Sequence, residues 1–504
     1  MSHSAIRMRL VFAFVCGVCA LPTSVVSGSN VGVKGSGQAA LQSDSTTITH
    51  RTVKVHLREP GPVEALVLER FEVFAPDVTI VLHTRDGDQI VPPPANSYFK
   101  GHVSGRDASR VYLVHLEDGT IRGVVAEGNR HWVLGGNAFA KSDEWLLDSR
   151  EIEPVVELNH DAVGFACETD LLQRPPVEWA IADDTDVTKG VATKSAAYTA
   201  RIAVETDNEF FNKFGNETEA INYVADIIAF GSIMYSAEVN TSWILAHLSL
   251  WSQGQTDPWA ETNPGCGLYE FGRYWNDVNN AILRTTTAFL SGKNTNSGIA
   301  WVGVLCSGQF NADVEYLRDS SGVLPCTGGL VPRIDNYGGA YAYIGGVDGN
   351  FDIHNPAVLW DIVAVTHEIG HNFNSPHSHC YAGIGGNSNQ IDHCYAGEYD
   401  PTYRPNCYSG TTSLPSDCPG GGSGCGTIMS YCHQLSPGMS NLSLTLGLNH
   451  PYGIEPERVP ERMFSHVTSR ASSYPGCLDY TVTDMIFEDD FESHNINAWS
   501  STVP

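Results

Sequence analysis

Apolar residues in the middle of the chain recur at two alternating periods, which predicts strands that alternate with helices. Residues 199–205 and 242–251 have strand-like apolar runs, and the segment between them has apolar positions three or four residues apart. A second helical pattern ends at Gly292, and further strands are predicted at 299–305 and 338–347. This order is typical of an α/β layer. The periodic positions are Ile221, Val224, Ile228 and Tyr235 in the first helix and Phe271, Trp275, Val278, Ile282 and Phe289 in the second.

The preceding part of the chain has shorter apolar runs. Within residues 29–165 these runs are separated by turn-forming pairs such as Asp118-Gly119 and Gly128-Asn129, which favours a β-rich domain. From 173 to 195 the chain becomes polar and contains Pro175-Pro176, which is typical of an exposed linker open to proteolysis. We therefore expect a β-rich domain and a cleavable linker within residues 29–195.

One more helix is followed by a region without periodicity. Asn355 is a suitable N-cap, Pro356 suits the first helical position, and a buried apolar stripe runs from Val358 to Ile369. Residues 380–432 are rich in Gly, Pro, Ser and Cys, which predicts irregular structure held by disulfides. The last residues, 481–504, form a separate acidic and aromatic tail.

The amino terminus has the pattern of a secretory signal peptide. Two arginines precede an uncharged run over residues 10–21 that is too short to span a bilayer. Cleavage after Ala20, Ser27 or Gly28 would each leave a small residue beside the cut, and we assign 1–28 to the signal peptide. No other stretch reaches the roughly 18 apolar residues of a membrane helix. We therefore expect a secreted, extracellular protein without a membrane span.

The charge of the chain argues against polyanionic partners. There are 57 acidic and 29 basic residues, and the formal net charge at pH 7 is −28. Such a chain repels nucleic acid and anionic membranes, so we expect neither as a partner.

The cysteines predict a disulfide-bonded protein. The chain has 13 of them, and Cys16 and Cys19 would leave with the signal peptide. Cys167 stands alone in the middle of the chain and is left as the odd thiol. In an oxidising compartment the even remainder suggests five disulfides. The remainder consists of Cys266, Cys306, Cys326, Cys380, Cys394, Cys407, Cys418, Cys425, Cys432 and Cys477.

The helix that follows Pro356 ends in residues that can bind a metal. His367 and His371 are four positions apart, so both project from one helical face and can bind one zinc ion. Glu368 lies beside that ion, where it can take a proton from activated water. A catalytic zinc keeps three protein ligands and one open position, and His377 supplies the third if the chain turns sharply.

The residues before His377 favour such a turn. Asn374 tolerates a left-handed backbone, and Pro376 prevents the helix from continuing. Histidine makes up only 19 of 504 residues, so a third one at the required offset rarely arises by chance. The remaining histidines nearby lack metal-binding spacing, and we expect them to be surface or hydrogen-bonding residues: His354, His379, His393 and His433.

Residues 367–377 resemble the zinc motif of the metzincin metalloproteases, His-Glu-x-x-His-x-x-Gly-x-x-His. Asn374 stands where that family usually has Gly. Residues 426–431 are similar to the family's Met-turn, with Met429 beneath the metal. From about 199 to 432 the chain looks like the reprolysin (adamalysin-like) branch, and the segment before it is loosely similar to that branch's pro-domains. Ser378 departs from the Asp that animal members often carry.

The resemblance implies an α/β metzincin catalytic domain over 196–480, with a mixed sheet and long helices above an irregular disulfide-bonded lower subdomain. A β-rich pro-domain would precede it and act as its inhibitor, so the protein would be a zymogen. The implied activity is zinc-dependent cleavage of protein or peptide substrates, with one zinc and with Glu368 as general base and proton shuttle. The strand at 338–347 resembles the edge along which substrates lie. The sequence identifies no calcium ligands, so a calcium ion is left without support.

Two further residues are candidates for roles at the site. Tyr431 lies two positions after Met429, as in the astacin and serralysin branches, where this tyrosine is a movable metal ligand; packing is the alternative role. Cys167 is a candidate zymogen switch, because a thiolate is a good fourth zinc ligand. Its flanks do not match the usual switch sequences, and the alternative is an ordinary unpaired thiol.

One other function and one other feature stay open. The alternative function is a catalytically silent binding or adhesion module, whose usual sign is loss of the glutamate or of a ligand. Glu368 and the three histidines are all present. The tail, 481–504, resembles the carboxy-terminal segments of exported bacterial proteins, either as a sorting tag or as a disordered end.

Overall fold

The computed structural model describes residues 50–56, 63–128, 130–138, 145–151, 166–167 and 196–480. The last range has gaps at 253, 294, 296, 319–322, 328–329, 331–332 and 350–357. The predicted signal peptide, the linker at 173–195, Asn355, Pro356 and the tail lie outside the described residues. We call the described residues up to 151 the amino-terminal domain and residues 196–480 the carboxy-terminal domain.

The amino-terminal domain is built from strands, as predicted. These are β1 (His50–His56), β2 (Val63–Phe71), β3 (Phe74–Thr84), β4 (Gly87–Val91), β5 (Ser97–Val103), β6 (Arg106–His115), β7 (Thr120–Glu127), β8 (Arg130–Ala138) and β9 (Trp145–Glu151). All except β3 and β4 form a closed barrel in the order β1-β2-β5-β6-β7-β8-β9, which a parallel contact between β1 and β9 completes. Side chains alternate along each strand, so Val111 and Leu113 fill the barrel, whereas Tyr112 and Val114 point outward.

The carboxy-terminal domain has the predicted α/β organisation. Its elements, with the short strand before it, are β10 (Ala166–Cys167), β11 (Tyr198–Thr206), α1 (Asn208–Phe211), α2 (Glu217–Val239), β12 (Thr241–Trp251), α3 (Pro264–Val278), β13 (Thr286–Ser291), β14 (Ser297–Ala300), β15 (Phe310–Asp313), β16 (Ile334–Gly338), β17 (Tyr341–Gly345), α4 (Val358–Asn372), α5 (Arg458–Ser473) and β18 (Leu478–Tyr480). The main sheet has the order β10-β14-β17-β13-β11-β12-β3-β4, and β18 also pairs with β11. Strands β12, β11, β13 and β17 run parallel, and β14 is antiparallel to β17.

The two domains share this sheet. The hairpin β3–β4 leaves the barrel, and β3 pairs in parallel with β12. The sequence predicted separate domains on either side of residue 196, and it gave no indication that a strand from the first would extend the sheet of the second.

Helix α2 fills the space between the sheet and the barrel. It begins at the N-cap Asn216, whose side chain accepts a hydrogen bond from the Glu219 amide. Its length and apolar composition would suffice for a membrane span, but 89% of its most apolar window is buried inside the protein, as expected of a core helix. Gly231 allows it to approach the sheet, because a Cβ there would lie 2.2 Å from the Trp243 ring.

The predicted second helix is wrong in its carboxy-terminal half. Helix α3 ends at Val278, and the Asn279 amide donates to the Trp275 carbonyl at its end. Phe289 lies instead in β13, a strand whose residues are all buried. A fully buried strand has no polar alternation, so the spacing of its apolar residues cannot distinguish it from a helix.

Five disulfides are present in the described residues, which confirms the number predicted from the even set of cysteines. Three of them lie within the irregular segment after α4, as expected for a region without a periodic core. The bonds are Cys266–Cys326, Cys306–Cys477, Cys380–Cys407, Cys394–Cys432 and Cys418–Cys425. Cys167 is not in a disulfide, and it is buried.

Candidate metal centre and cleft

Three histidine side chains converge below the end of α4. The Nε2 atom of His371 lies 3.2 Å from Nε2 of His367 and 3.2 Å from Nε2 of His377. We call these three residues the histidine cluster. A tetrahedral zinc with Zn–N bonds of about 2.0–2.1 Å needs ligand nitrogens about 3.3 Å apart. The cluster therefore has the dimensions of a site for one zinc ion.

In each residue of the histidine cluster, the Nδ1 atom has an acceptor that fixes which ring nitrogen carries the proton. Each Nδ1 atom lies 2.7 Å from an oxygen acceptor: the carbonyl of Ile428 for His367, the carbonyl of Ser375 for His371, and the Glu398 carboxylate for His377. Burial lowers the pKa of His371 to about 3 and that of His377 to about 4. With Nδ1 donating, the neutral rings present an Nε2 lone pair to a metal.

A left-handed turn brings His377 to the other two histidines. Asn374 has a φ of 77°, as the sequence predicted for this position. The turn is held from α5, because Arg462 donates from Nε to the Asn374 carbonyl at 2.6 Å and from Nη2 to its side-chain oxygen at 3.1 Å. Arg462 lies 88 residues further along the chain, so no local pattern indicates this contact.

Met429 lies under the helix that carries the histidines, and it is fully buried. A Cβ at Gly370 would lie 2.6 Å from the Met429 sulfur, so glycine at this position permits the close approach. The same segment supplies the Ile428 carbonyl to His367, and the Met429 carbonyl accepts from the Ser378 amide at 2.9 Å. The Met429 segment therefore supports two of the three histidine positions.

Glu368 faces the edge strand β14. A Cβ at Gly298 would lie 2.2 Å from the Glu368 Oε1 atom, so Gly298 makes room for this carboxylate. The expectation that residues 338–347 form the cleft edge is wrong, because β17 is paired on both sides, with β13 and with β14. β14 takes that place and carries β10 on its outer side. The antiparallel return of β14 after β13 could not be derived from the sequence.

Cys167 lies inside this cleft. Its Sγ atom is 3.4 Å from His371 Nε2 and 3.3 Å from Glu368 Oε2. A sulfur ligand of a tetrahedral zinc, with a Zn–S bond of about 2.3 Å, would lie about 3.5 Å from a ligand nitrogen. The thiol and the histidine cluster have their ligand atoms within 4.8 Å of one another. The donor set thus fits four-coordinate zinc with nitrogen and sulfur ligands.

Tyr431 lies beside His377 and contacts the Cys167 backbone. Its ring centroid is 4.5 Å from that of His377, and its hydroxyl donates to the backbone carbonyl of Cys167. The structure thus brings together every site residue that the sequence singled out: Glu368, Tyr431, Met429, Cys167 and the histidine cluster.

Glu398 is a residue of the site that no sequence pattern indicates. This buried carboxylate accepts from His377 Nδ1 at 2.7 Å and from His379 Nε2 at 2.8 Å, and Arg404 lies 3.8 Å from its other oxygen. Burial alone would raise the pKa of Glu398, but the two histidines hold it well below the usual range. The residue lies in an irregular segment, 21 positions after His377, where no spacing rule applies. His379 is thus a hydrogen-bonding residue, as expected.

Loss of the Glu398 charge is expected to weaken zinc binding. Glu398→Gln should lower zinc affinity by about 10–100-fold, because His377 loses the carboxylate that orients its ring and makes it more basic. Competition with a chelator of known affinity measures the change. Glu455→Gln is the matched control, since Glu455 is an exposed acid in the same part of the fold. Equal zinc affinities in the two variants would contradict the role given to Glu398.

The carboxy-terminal domain is similar in sequence to a known protein family. The family profile of metallo-peptidase family M12 (Reprolysin_5) matches residues 196–443. Among solved structures, metalloproteinase-II from Bacteroides fragilis is 10% identical with a TM-score of 0.31, over 72% of this chain and 92% of that chain. A chain from a chaperone–substrate complex is 10% identical with a TM-score of 0.25, over 54% of this chain and 36% of that one. No curated protein matches the chain significantly.

Proposed function

Because residues 196–443 belong to metallo-peptidase family M12, we propose that this chain is a secreted zinc-dependent endopeptidase made as a zymogen. The observation that carries the proposal is the convergence of three Nε2 atoms, with that of His371 3.2 Å from each of the other two and the Glu368 carboxylate beside them. The five disulfides support an oxidising compartment outside the cell. The basic flank and short apolar run at the amino terminus support secretion.

The residues of the chain have separate tasks in peptide hydrolysis. The histidine cluster would hold zinc, which when bound supplies Lewis-acid activation of water and of the substrate carbonyl. Glu368 takes the proton of the attacking water and then delivers it to the leaving amine nitrogen. Its burial against Gly298 restricts the carboxylate to a position beside the cluster. A carboxylate fixed in this way is ready to act as a base without reorganisation.

Substrates are extended segments of protein or peptide. β14 is the strand next to Glu368, and the short strand β10 already pairs with it through Ala166–Ser297 and Cys167–Gly298. A substrate would add to the same edge by backbone hydrogen bonds, which recognise an extended chain of almost any sequence. This mode of binding requires that β10 leaves the edge first.

Cys167 and β10 would keep the uncleaved chain inactive. The thiol lies where a fourth zinc ligand belongs, and its backbone occupies the substrate edge. The linker at 173–195 follows directly, so a cut there separates this segment from β11. Both the ligand and the obstruction would then leave the cleft when this segment dissociates.

Tyr431 is proposed to stabilise the oxyanion of the tetrahedral intermediate. Its hydroxyl already donates to a peptide carbonyl in the cleft, that of Cys167, so it has the reach to donate to a substrate carbonyl. Tyr431→Phe should lower kcat by roughly 10- to 1,000-fold with little change in KM, as for a lost oxyanion donor. Steady-state kinetics on a peptide substrate measures both constants.

The control for this change is Tyr408→Phe, which removes a phenol hydroxyl bonded to the Thr411 carbonyl elsewhere in the same subdomain. Its kcat should match that of the unaltered protein. An unchanged kcat in Tyr431→Phe would assign Tyr431 to packing against His377.

A peptide-library digestion tests the proposed activity. The protein is cut in the linker, separated from its amino-terminal fragment and incubated with the library, and mass spectrometry identifies the products. We expect internal cleavage that stops on chelation and returns with zinc. A protein that binds zinc yet cleaves no peptide after removal of its amino-terminal segment would instead be the silent binding module.

A further inference from the structure

We propose that cutting the linker does not release the amino-terminal domain, which remains bound to the carboxy-terminal domain as a non-covalent subunit. Activation would then need a second event that dissociates the two. The inference rests on the proposed function in so far as maturation cuts the chain at 173–195. Three features of the described interface support it: a shared sheet, a shared core and buried ion pairs between the domains.

The first feature is the pairing of β3 with β12. The register runs from His247–Thr79 to Trp251–His83, and the Leu245 amide donates to the Val73 carbonyl at 2.7 Å. β12 is 11 residues long and lies between β11 and β3. Removal of β3 would leave a long, largely apolar strand with an open edge, which proteins normally cover.

The second feature is the apolar core. The outward face of the barrel and the strand β3 belong to the same buried cluster as α2, so the contact resembles a domain interior rather than a surface. The barrel has a separate core inside it, and the outer side chains are thus an additional apolar layer. The buried residues in the shared cluster include Ile80, Tyr98, Tyr112, Val114 and Val124 from the amino-terminal domain and Ile221, Val224 and Ile228 from α2.

The third feature is a pair of buried carboxylates on α2 that face barrel arginines. Asp226 has Arg122 at 2.5 Å and accepts from the Tyr112 hydroxyl. Glu238 has Arg110 at 2.6 Å. Both carboxylates are buried, and both arginines come from the amino-terminal domain. Such pairs make the fit of the two surfaces specific, because loss of either partner leaves the other charge buried and uncompensated.

The test uses the full chain carrying Glu368→Ala, so that it cannot cut itself, with a foreign protease site placed between residues 173 and 195. After complete cleavage, size-exclusion chromatography with light scattering measures whether the two fragments co-elute. We expect one peak that contains both fragments at the mass of the uncut chain. Two separate peaks would overturn the proposal.

Single substitutions show whether the named contacts hold the fragments together. Arg122→Met leaves Asp226 buried without its cation and should raise the dissociation constant by at least about 100-fold. Asp77→Asn is the matched control: it breaks the Arg201–Asp77 pair across the same interface, where the Asp77 side chain is 62% exposed. That change should cost less than about fivefold.

A double variant distinguishes loss of the ion pair from misfolding. Arg122→Met combined with Asp226→Asn removes both charges and should restore much of the binding, which a misfolded Arg122→Met protein could not explain. Equal dissociation constants for Arg122→Met and Asp77→Asn would overturn the role of the buried pair. Because the readout is association of an inactive protein, a failure of the proposed peptidase activity would leave this result unaffected.

Discussion

Glu368→Ala is expected to bind about one zinc ion per chain and to lose proteolysis by several orders of magnitude. A positioned general base contributes about 10²–10⁴-fold, and Glu368 would serve twice, at the attacking water and at the leaving amine. Zinc binding should persist, because Glu368 supplies none of the ligand atoms of the histidine cluster. Metal analysis by mass spectrometry, together with casein hydrolysis, measures both properties in one preparation.

Glu398→Gln provides the contrast for this result. That variant should regain activity when zinc is added in excess, since it changes the orientation of His377 and not the chemistry of the base. Added zinc should not rescue Glu368→Ala. Near wild-type cleavage of casein by Glu368→Ala would refute the proposed mechanism.

The parts of the site that the sequence predicted are those whose geometry is set within a few residues. Helical spacing fixes His367 and His371 on one face, and the left-handed tolerance of Asn374 allows the turn to His377. Each of these constraints spans at most six positions, so a single sequence carries them. The even number of cysteines similarly gave the number of disulfides, but parity contains no information about pairing.

The parts that the sequence did not predict depend on contacts distant in the chain. Glu398 reaches His377 from an irregular loop, and Arg462 reaches Asn374 across 88 positions. The edge strand was misplaced because β14 is only four residues long and returns antiparallel beside β17. Such a return depends on how the whole sheet packs, and apolar periodicity within one segment does not record it.

The sheet that the two domains share was not predicted for the same reason: it depends on contacts distant in the chain. β3 is a partly buried strand, and nothing in residues 74–84 specifies β12 as its partner. In the sequence, Arg110 and Arg122 have no feature that distinguishes them from other charged residues of the strands. Only the fold shows that they face Asp226 and Glu238 on a helix more than 100 positions away.

Latency through Cys167 predicts a sulfur atom in the zinc shell of the uncleaved protein. The Glu368→Ala chain, kept intact, should show one Zn–S bond of about 2.3 Å beside Zn–N bonds of about 2.0–2.1 Å in X-ray absorption. The Sγ atom already lies 3.4 Å from His371 Nε2, which is close to the separation of two ligands on one tetrahedral zinc. The thiolate would fill the position that water needs.

The contribution of this thiol is measured by comparison with the same inactive chain carrying Cys167→Ser. The sulfur contribution should disappear and be replaced by oxygen, because the ten other cysteines of the described chain are in disulfides and cannot take its place. A shell of nitrogen and oxygen in both proteins would exclude the thiol as a ligand. Inhibition would then rest on obstruction alone, through the pairing of β10 with β14 and the Tyr431 hydroxyl bond to the Cys167 carbonyl. At residue 167 both contacts use only backbone atoms, so they would persist in the serine variant and keep it latent.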